Sequence, residues 1–273
     1  MSLICSKSFA KTCDLIICLQ SHPYSQMYKE LTTKTPKRVF ITGDNYIFER
    51  SLPLLTSFEE KYELVYHCSD TPFDRYKFET IRSFVSTIFA ENCEISHPLI
   101  QRVPLGFVDD KIPRRVKMTR DILCYVNLGL YNDKEAKFVN CRAIRKRILA
   151  FFKTKPWAVV DETPIPFEEF NEKLNRSEFV VCPMGFGIDT TRFYESAFCG
   201  ATPIITHSGL DEMHRVFKPL IVESYEDVDE RLLTEQVRRE PAVPDVFRLD
   251  YWINDTPSEE TKKSELLPKI AAV

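Results

Sequence analysis

The sequence predicts an α/β protein built from two doubly wound parallel sheets that face a cleft. Three observations predict it. Short apolar, β-type runs alternate with helical patterns along the chain, as they do where parallel strands are joined by crossover helices. A charged segment of weak periodicity carrying Pro113, residues 107–119, divides the chain. Residues 179–206 read as one strand–turn–helix–strand unit with a glycine turn at its centre.

In the first half the strand-like runs are 14–20, 38–42, 64–68, 94–96 and 101–105. Residues 74–90 place Phe78, Ile81, Phe84, Val85 and Ile88 at helical spacing, with Asp74 and Glu79 near the start where a helix dipole favours acids. The pattern therefore predicts one amphipathic helix there. Past the divider come a strand at 122–127, a helix at 133–153, a strand at 157–160 and a helix at 167–175. The 179–206 unit follows, then a strand at 220–223 and a helix at 228–239. This gives a first Rossmann-like domain over 1–118, a second over 119–248, and a tail, 249–273, positioned to pack back on the first.

Composition excludes several classes. The chain of 273 residues is 44% hydrophobic and 28% charged, ordinary values for a globular protein. A net charge of −3 argues against a nucleic-acid partner, which needs a basic excess. No run approaches the roughly 20 apolar residues of a membrane span, and the N-terminal stretch is broken by Lys7, Lys11 and Asp14, so neither membrane insertion nor a signal peptide is expected. Nine cysteines with no C-x-x-C pair read as reduced, mostly buried thiols in a cytoplasmic protein.

The 179–206 unit carries the chemistry. A run ending at Cys182 leads into Pro183-Met-Gly185-Phe-Gly187, a turn that lets backbone approach a ligand closely. Thr190 and Thr191 can then cap a helix whose free N–H groups and positive dipole end suit a phosphate. Arg192 and Glu195, three apart, share the face just above that end. A guanidinium for phosphate and a carboxylate for ribose hydroxyls together make a sugar-nucleotide pocket.

This string resembles the donor-binding signature of the exostosin family of glycosyltransferases. The match runs through Ser177-Glu-Phe, Cys182-Pro183, the glycine turn, Arg192, Glu195, Gly200, Pro203 and Ile204, over about residues 165–210, with a looser likeness from about 120 onward. The small size without an anchor is most similar to exostosin-like enzymes of large algal DNA viruses. The resemblance implies the two-domain GT-B fold and inverting transfer from a UDP-sugar, xylose favoured and galactose next, to a hydroxyl of an oligosaccharide. No cofactor beyond the UDP-sugar donor is implied. It also implies a second cation on the helix after the domain's first strand, for which Arg145 fits best and Arg142, one turn earlier, comes next.

Inversion needs a base from the first domain. Asp74 ranks first and Asp70 second, both in the loop after the 64–68 strand; Asp44, after the 38–42 strand, is third and His22 follows. Asp227-Val-Asp229 has the spelling of a metal-binding pair, but it lies at a helix start where acids act as caps, so no metal ligand is assigned. Two other classes compete: a nucleotide-sugar-binding module of the same fold that has lost its base, and another two-domain Rossmann-type enzyme. Against the latter, no G-x-G-x-x-G follows a first strand.

Overall fold

The computed structural model describes residues 2–18, 36–43, 45–109, 111–130, 141–237 and 242–253. They form a mixed α/β protein with two five-stranded sheets, and every strand pair is parallel. The first sheet consists of β1 (Leu15–Ile17), β2 (Arg38–Thr42), β3 (Tyr62–His67), β4 (Val85–Ala90) and β5 (Ile100–Arg102), side by side in chain order. Helices α1 (Ser6–Lys11), α2 (Asn45–Leu55) and α3 (Arg75–Ile81) accompany it.

The second sheet holds β6 (Ile122–Asn127), β7 (Ala158–Asp161), β8 (Ser177–Val181), β9 (Thr202–Thr206) and β10 (Leu220–Val222), in the order β10-β9-β8-β6-β7. Its helices are α4 (Cys141–Lys153), α5 (Phe167–Arg176), α6 (Thr191–Phe198), α7 (Asp211–His214), α8 (Glu230–Gln236) and α9 (Leu249–Ile253). Strand order reverses between β6 and β8, and that crevice is where doubly wound sheets take ligands. Among the described residues the first sheet shows no such reversal.

The pleat sorts each strand's residues between two cores. Val39, Ile41, Leu64, Tyr66, Ile88 and Ala90 point to one cluster with Phe48 of α2 and Phe78 of α3, whereas Phe40, Val65 and Phe89 point to another. That second cluster is continuous with Tyr125, Val180 and Phe193 of the second sheet's unit, so one apolar core joins the two halves. The chain end closes it. Phe247 accepts the Ile4 N–H at 2.9 Å, Ser2 accepts the Leu249 N–H at 3.0 Å, and Trp252 stacks on Phe217. Residues 242–253 thus pack against the first half; of the tail expected over 249–273, residues 254–273 lie outside the described residues.

Three local readings need correction. The helix expected over 74–90 is α3 followed by the strand β4. The positions Ile81, Val85 and Ile88 recur at helical spacing, and Ile88, Phe89 and Ala90 are buried in succession, which masks strand alternation. Residues 94–96 form no strand, since Ile88 of β4 pairs directly with Ile100 of β5. Helices α1 and α2 were not anticipated; α1 is a six-residue helix, and α2 accommodates Pro53 within it. Among the described residues, no helix is long and apolar enough to cross a membrane.

Candidate functional site

A cavity of about 730 Å³, within the usual range for ligand pockets, opens at the carboxyl ends of β6, β7 and β8. Asn127 ends β6, Asp161 ends β7, and Pro183 to Gly187 follow β8. The first half contributes Asp70, Leu105, Val108 and Lys111, so the cavity lies between the halves.

Arg192 and Glu195 stand together in it on the first turns of α6. Arg192 donates from Nε to Glu195 at 3.2 Å and from Nη1 to the Asn127 carbonyl at 2.8 Å, with its guanidinium 4.1 Å over the Phe170 ring. Nη2 makes no hydrogen bond among the described residues. Burial pushes the Glu195 carboxyl above its ordinary range, against the opposing pull of Arg192. Thr190 is the N-cap of α6 but makes no side-chain cap bond, and it lines the cavity with Thr191. Gly185 and Gly187 line it too. Gly187 is dictated by space: a Cβ there would lie 2.6 Å from the Asn92 amide nitrogen.

Arg145 also lines the cavity, but its guanidinium is committed to backbone. It donates to Met184 O at 3.0 Å, Gly129 O at 3.1 Å and Pro183 O at 3.4 Å. Its position therefore ties the loops after β6 and β8 together, rather than presenting a cation for a ligand. Arg142, one turn away on α4, is not among the cavity-lining residues. Lys111, which lies within the charged divider of the sequence, also lines the cavity.

Among the acids proposed as base, Asp70 lines the cavity. Asp74 does not. It is the N-cap of α3, accepting the Lys77 N–H at 3.0 Å and pairing with the buried Lys77 ammonium at 3.1 Å. Capping explains its position fully, which corrects its first rank. Asp44 and His22 lie outside the described residues. Asp227 and Asp229 both cap: Asp227 closes a capping box with Ser224, and Asp229 accepts the Leu232 N–H at 2.7 Å.

Four positioning residues escaped the sequence reading. Asp161 gathers Lys173 at 2.6 Å, Tyr125 at 2.5 Å and Asn127 at 3.3 Å. Burial would raise its carboxyl, but the bonds from Lys173, Tyr125 and Asn127 hold it below the ordinary range. The network then continues through Asn127 to Arg192. Asp189, also buried, accepts the Leu105 N–H at 2.9 Å across the cleft and bonds Tyr194 and His214 on its own side. Asn92 accepts the Asp189 N–H at 2.8 Å and donates to Ser69 O at 2.9 Å. Glu91, beside it, accepts the Ser69 N–H and sits 3.1 Å from His67 Nδ1.

Comparison with known protein families and with curated proteins gives no match. The likeness to exostosins therefore rests on the residues of the 165–210 segment themselves. Among the described residues, no group of three or more His, Cys, Asp or Glu side chains is arranged to hold a metal ion.

Proposed function

We propose that the chain is an inverting, UDP-sugar-dependent glycosyltransferase of the exostosin type with a GT-B arrangement. It would move xylose, or next galactose, to a hydroxyl of an oligosaccharide in the synthesis of a viral glycan. One observation carries this reading. A glycine turn, a helix N-terminus, an arginine and a buried glutamate converge at the switch point of one sheet, with a carboxylate facing them from the other half.

The division of labour follows from the chemistry. The first turn of α6, with Thr190 and Thr191, and the uncommitted edge of Arg192 hold the diphosphate. Glu195, held by Arg192, meets the ribose hydroxyls. Asp70 takes the proton of the acceptor hydroxyl as its oxygen attacks the anomeric carbon, and the bond to the diphosphate breaks on the opposite face. Arg192 and Lys111 stabilise the charge that develops on the leaving group. With that positive charge supplied by protein groups, activity is expected to persist in a chelator.

A thermal-shift comparison of UDP with a nicotinamide dinucleotide tests the reading. At 100 times its dissociation constant UDP should add about 2.7 kcal/mol of stability, and the dinucleotide nothing. Equal shifts would overturn it. A UDP shift with no hydrolysis of UDP-xylose or UDP-galactose and no transfer from them would favour the inactive binding module.

A further inference from the structure

Between the two sheets the chain runs as a strap from Lys111 to Arg120; Lys111 lines the cavity, and the residues from Arg114 to Met118 do not. Two buried asparagines on one face of α5 pin it from below. Asn171 accepts the Arg114 N–H at 2.9 Å; Asn175 accepts the Val116 N–H at 2.7 Å and donates to Arg114 O at 2.9 Å. Arg120 then anchors its end on the carbonyls of Ser177 and Cys199. In between, residues 114–119 are all exposed. A flat extended segment would bury alternate side chains, so exposure at both parities makes this one a ridge.

The ridge is cationic and apolar at once. Among the described residues, Arg38, Arg82, Arg147, Arg176, Arg231 and Arg248 form ion pairs with acids, whereas others such as Arg75 and Arg215 do not. Lys111, Arg114, Arg115 and Lys117 form none among the described residues. The flanking acids are engaged elsewhere, Asp121 with Arg176 at 2.6 Å and Asp109 with the Lys7 N–H at 3.1 Å. Between these cations stand Val116, 49% exposed, and Met118, 39% exposed. A groove of about 320 Å³ lies alongside, with Lys111, Arg114 and one acid, Glu168, on its wall, and it shares Lys111 and Phe167 with the main cavity.

We propose that this strap docks the protein on an anionic lipid surface, with the cations on the headgroups and Val116 and Met118 in the interfacial layer. A polyanionic chain would account for the charges but leave the interleaved apolar side chains in water. An anionic membrane accounts for both. The pinning from α5 presents them without an ordering cost at binding. Because the groove shares Lys111 and Phe167 with the main cavity, docking would bring that wall of the site close to the membrane surface.

Co-sedimentation of the full chain with vesicles tests the assignment. Binding is expected to vesicles of phosphatidylserine and phosphatidylcholine, not to phosphatidylcholine alone, and to weaken as salt shortens the Debye length from about 10 Å at 0.1 M to about 3 Å at 1 M. The double variant R115E/K117E removes two cations, and should lower partitioning at least roughly thirtyfold, about fivefold per charge. V116S/M118S should also weaken it. These side chains are exposed and the strap is held through its backbone, so both variants should keep the parent melting temperature. The proposal is overturned by no binding to the anionic vesicles, by undiminished binding of either double variant, or by binding of soluble heparin in place of vesicles. The vesicle assay needs no nucleotide, so its outcome is separate from the glycosyltransferase reading.

Discussion

Asn92 and Asp189 meet across the cleft. The Asn92 carboxamide accepts the Asp189 N–H at 2.8 Å and donates to the Ser69 carbonyl at 2.9 Å. Ser69 precedes Asp70, and Asp189 precedes Thr190, so one side chain sets the spacing between the proposed base and the donor cradle. Asn92 has φ of 47°, in the left-handed region that glycine adopts freely. Asn92→Gly therefore deletes the peg without straining the backbone. Losing two buried hydrogen bonds should cost about 2 kcal/mol of stability. UDP affinity, measured by calorimetry, should stay within about threefold, because Arg192 and Glu195 lie on one side only. Hydrolysis of UDP-xylose should fall by about 10-fold or more, since a small misplacement of a catalytic group is costly. Proportional losses in both would reduce Asn92 to a folding residue.

Arg192→Ala should weaken UDP binding roughly 10- to 150-fold, the equivalent of about 1.5–3 kcal/mol for a hydrogen bond to a charged group. Arg192 is partly exposed and rests on Phe170 from outside the core, so the variant should fold. Unchanged affinity in calorimetry would remove Arg192 from the donor site.

The two acids of the loop after β3 should separate cleanly. Asp70→Asn should cost turnover by a factor of roughly 10² to 10⁴, with UDP affinity nearly unchanged. Asp74→Asn should leave turnover near normal and lower stability, because Asn caps as well as Asp but no longer neutralises buried Lys77. The reverse pattern in steady-state kinetics and melting would restore Asp74 as the base.

These cases show what was legible in the sequence. β2 and β6 have the boundaries expected, because each is a compact apolar run bounded by charged or turn residues. The α6 unit was readable because its turn, caps and paired charges all lie within about thirty consecutive residues. Asp74 was not, since a cap and a base call for the same residue in the same loop, and only the presence of Lys77 against it decides. Asn92, Asp189 and Lys111 gave no local signal. Asn92 is 97 residues from its partner, and Lys111 sits in a stretch whose charge reads as a solvated linker.

The last prediction concerns the buried pair behind Ser69. His67 Nε2 lies 3.1 Å from the Pro104 carbonyl, which can only accept, so that nitrogen carries the proton. Nδ1 is then an acceptor, taking the Cys68 N–H at 2.9 Å, and burial pushes the imidazole down to about 4. A carboxylate facing that lone pair would be repelled. Burial, reinforced by the charge of Asp189 and only partly offset by the Ser69 N–H, raises Glu91 well above its ordinary value of 4.5. It thus stands as the neutral acid beside Nδ1, which also has the Ser6 hydroxyl at 3.0 Å. The signs then follow. The Glu91 contribution is full below about pH 4.5 and is lost as pH rises toward the raised folded value; the His67 contribution is full above about 6.5 and is lost as pH falls toward about 4. Glu91→Gln keeps the shape of the side chain and an acceptor for the Ser69 N–H, but it cannot ionise. Its stability relative to the parent should therefore climb as pH rises above about 4.5 in denaturant titrations. Parallel stability curves for parent and variant would mean that Glu91 carries its charge in the fold.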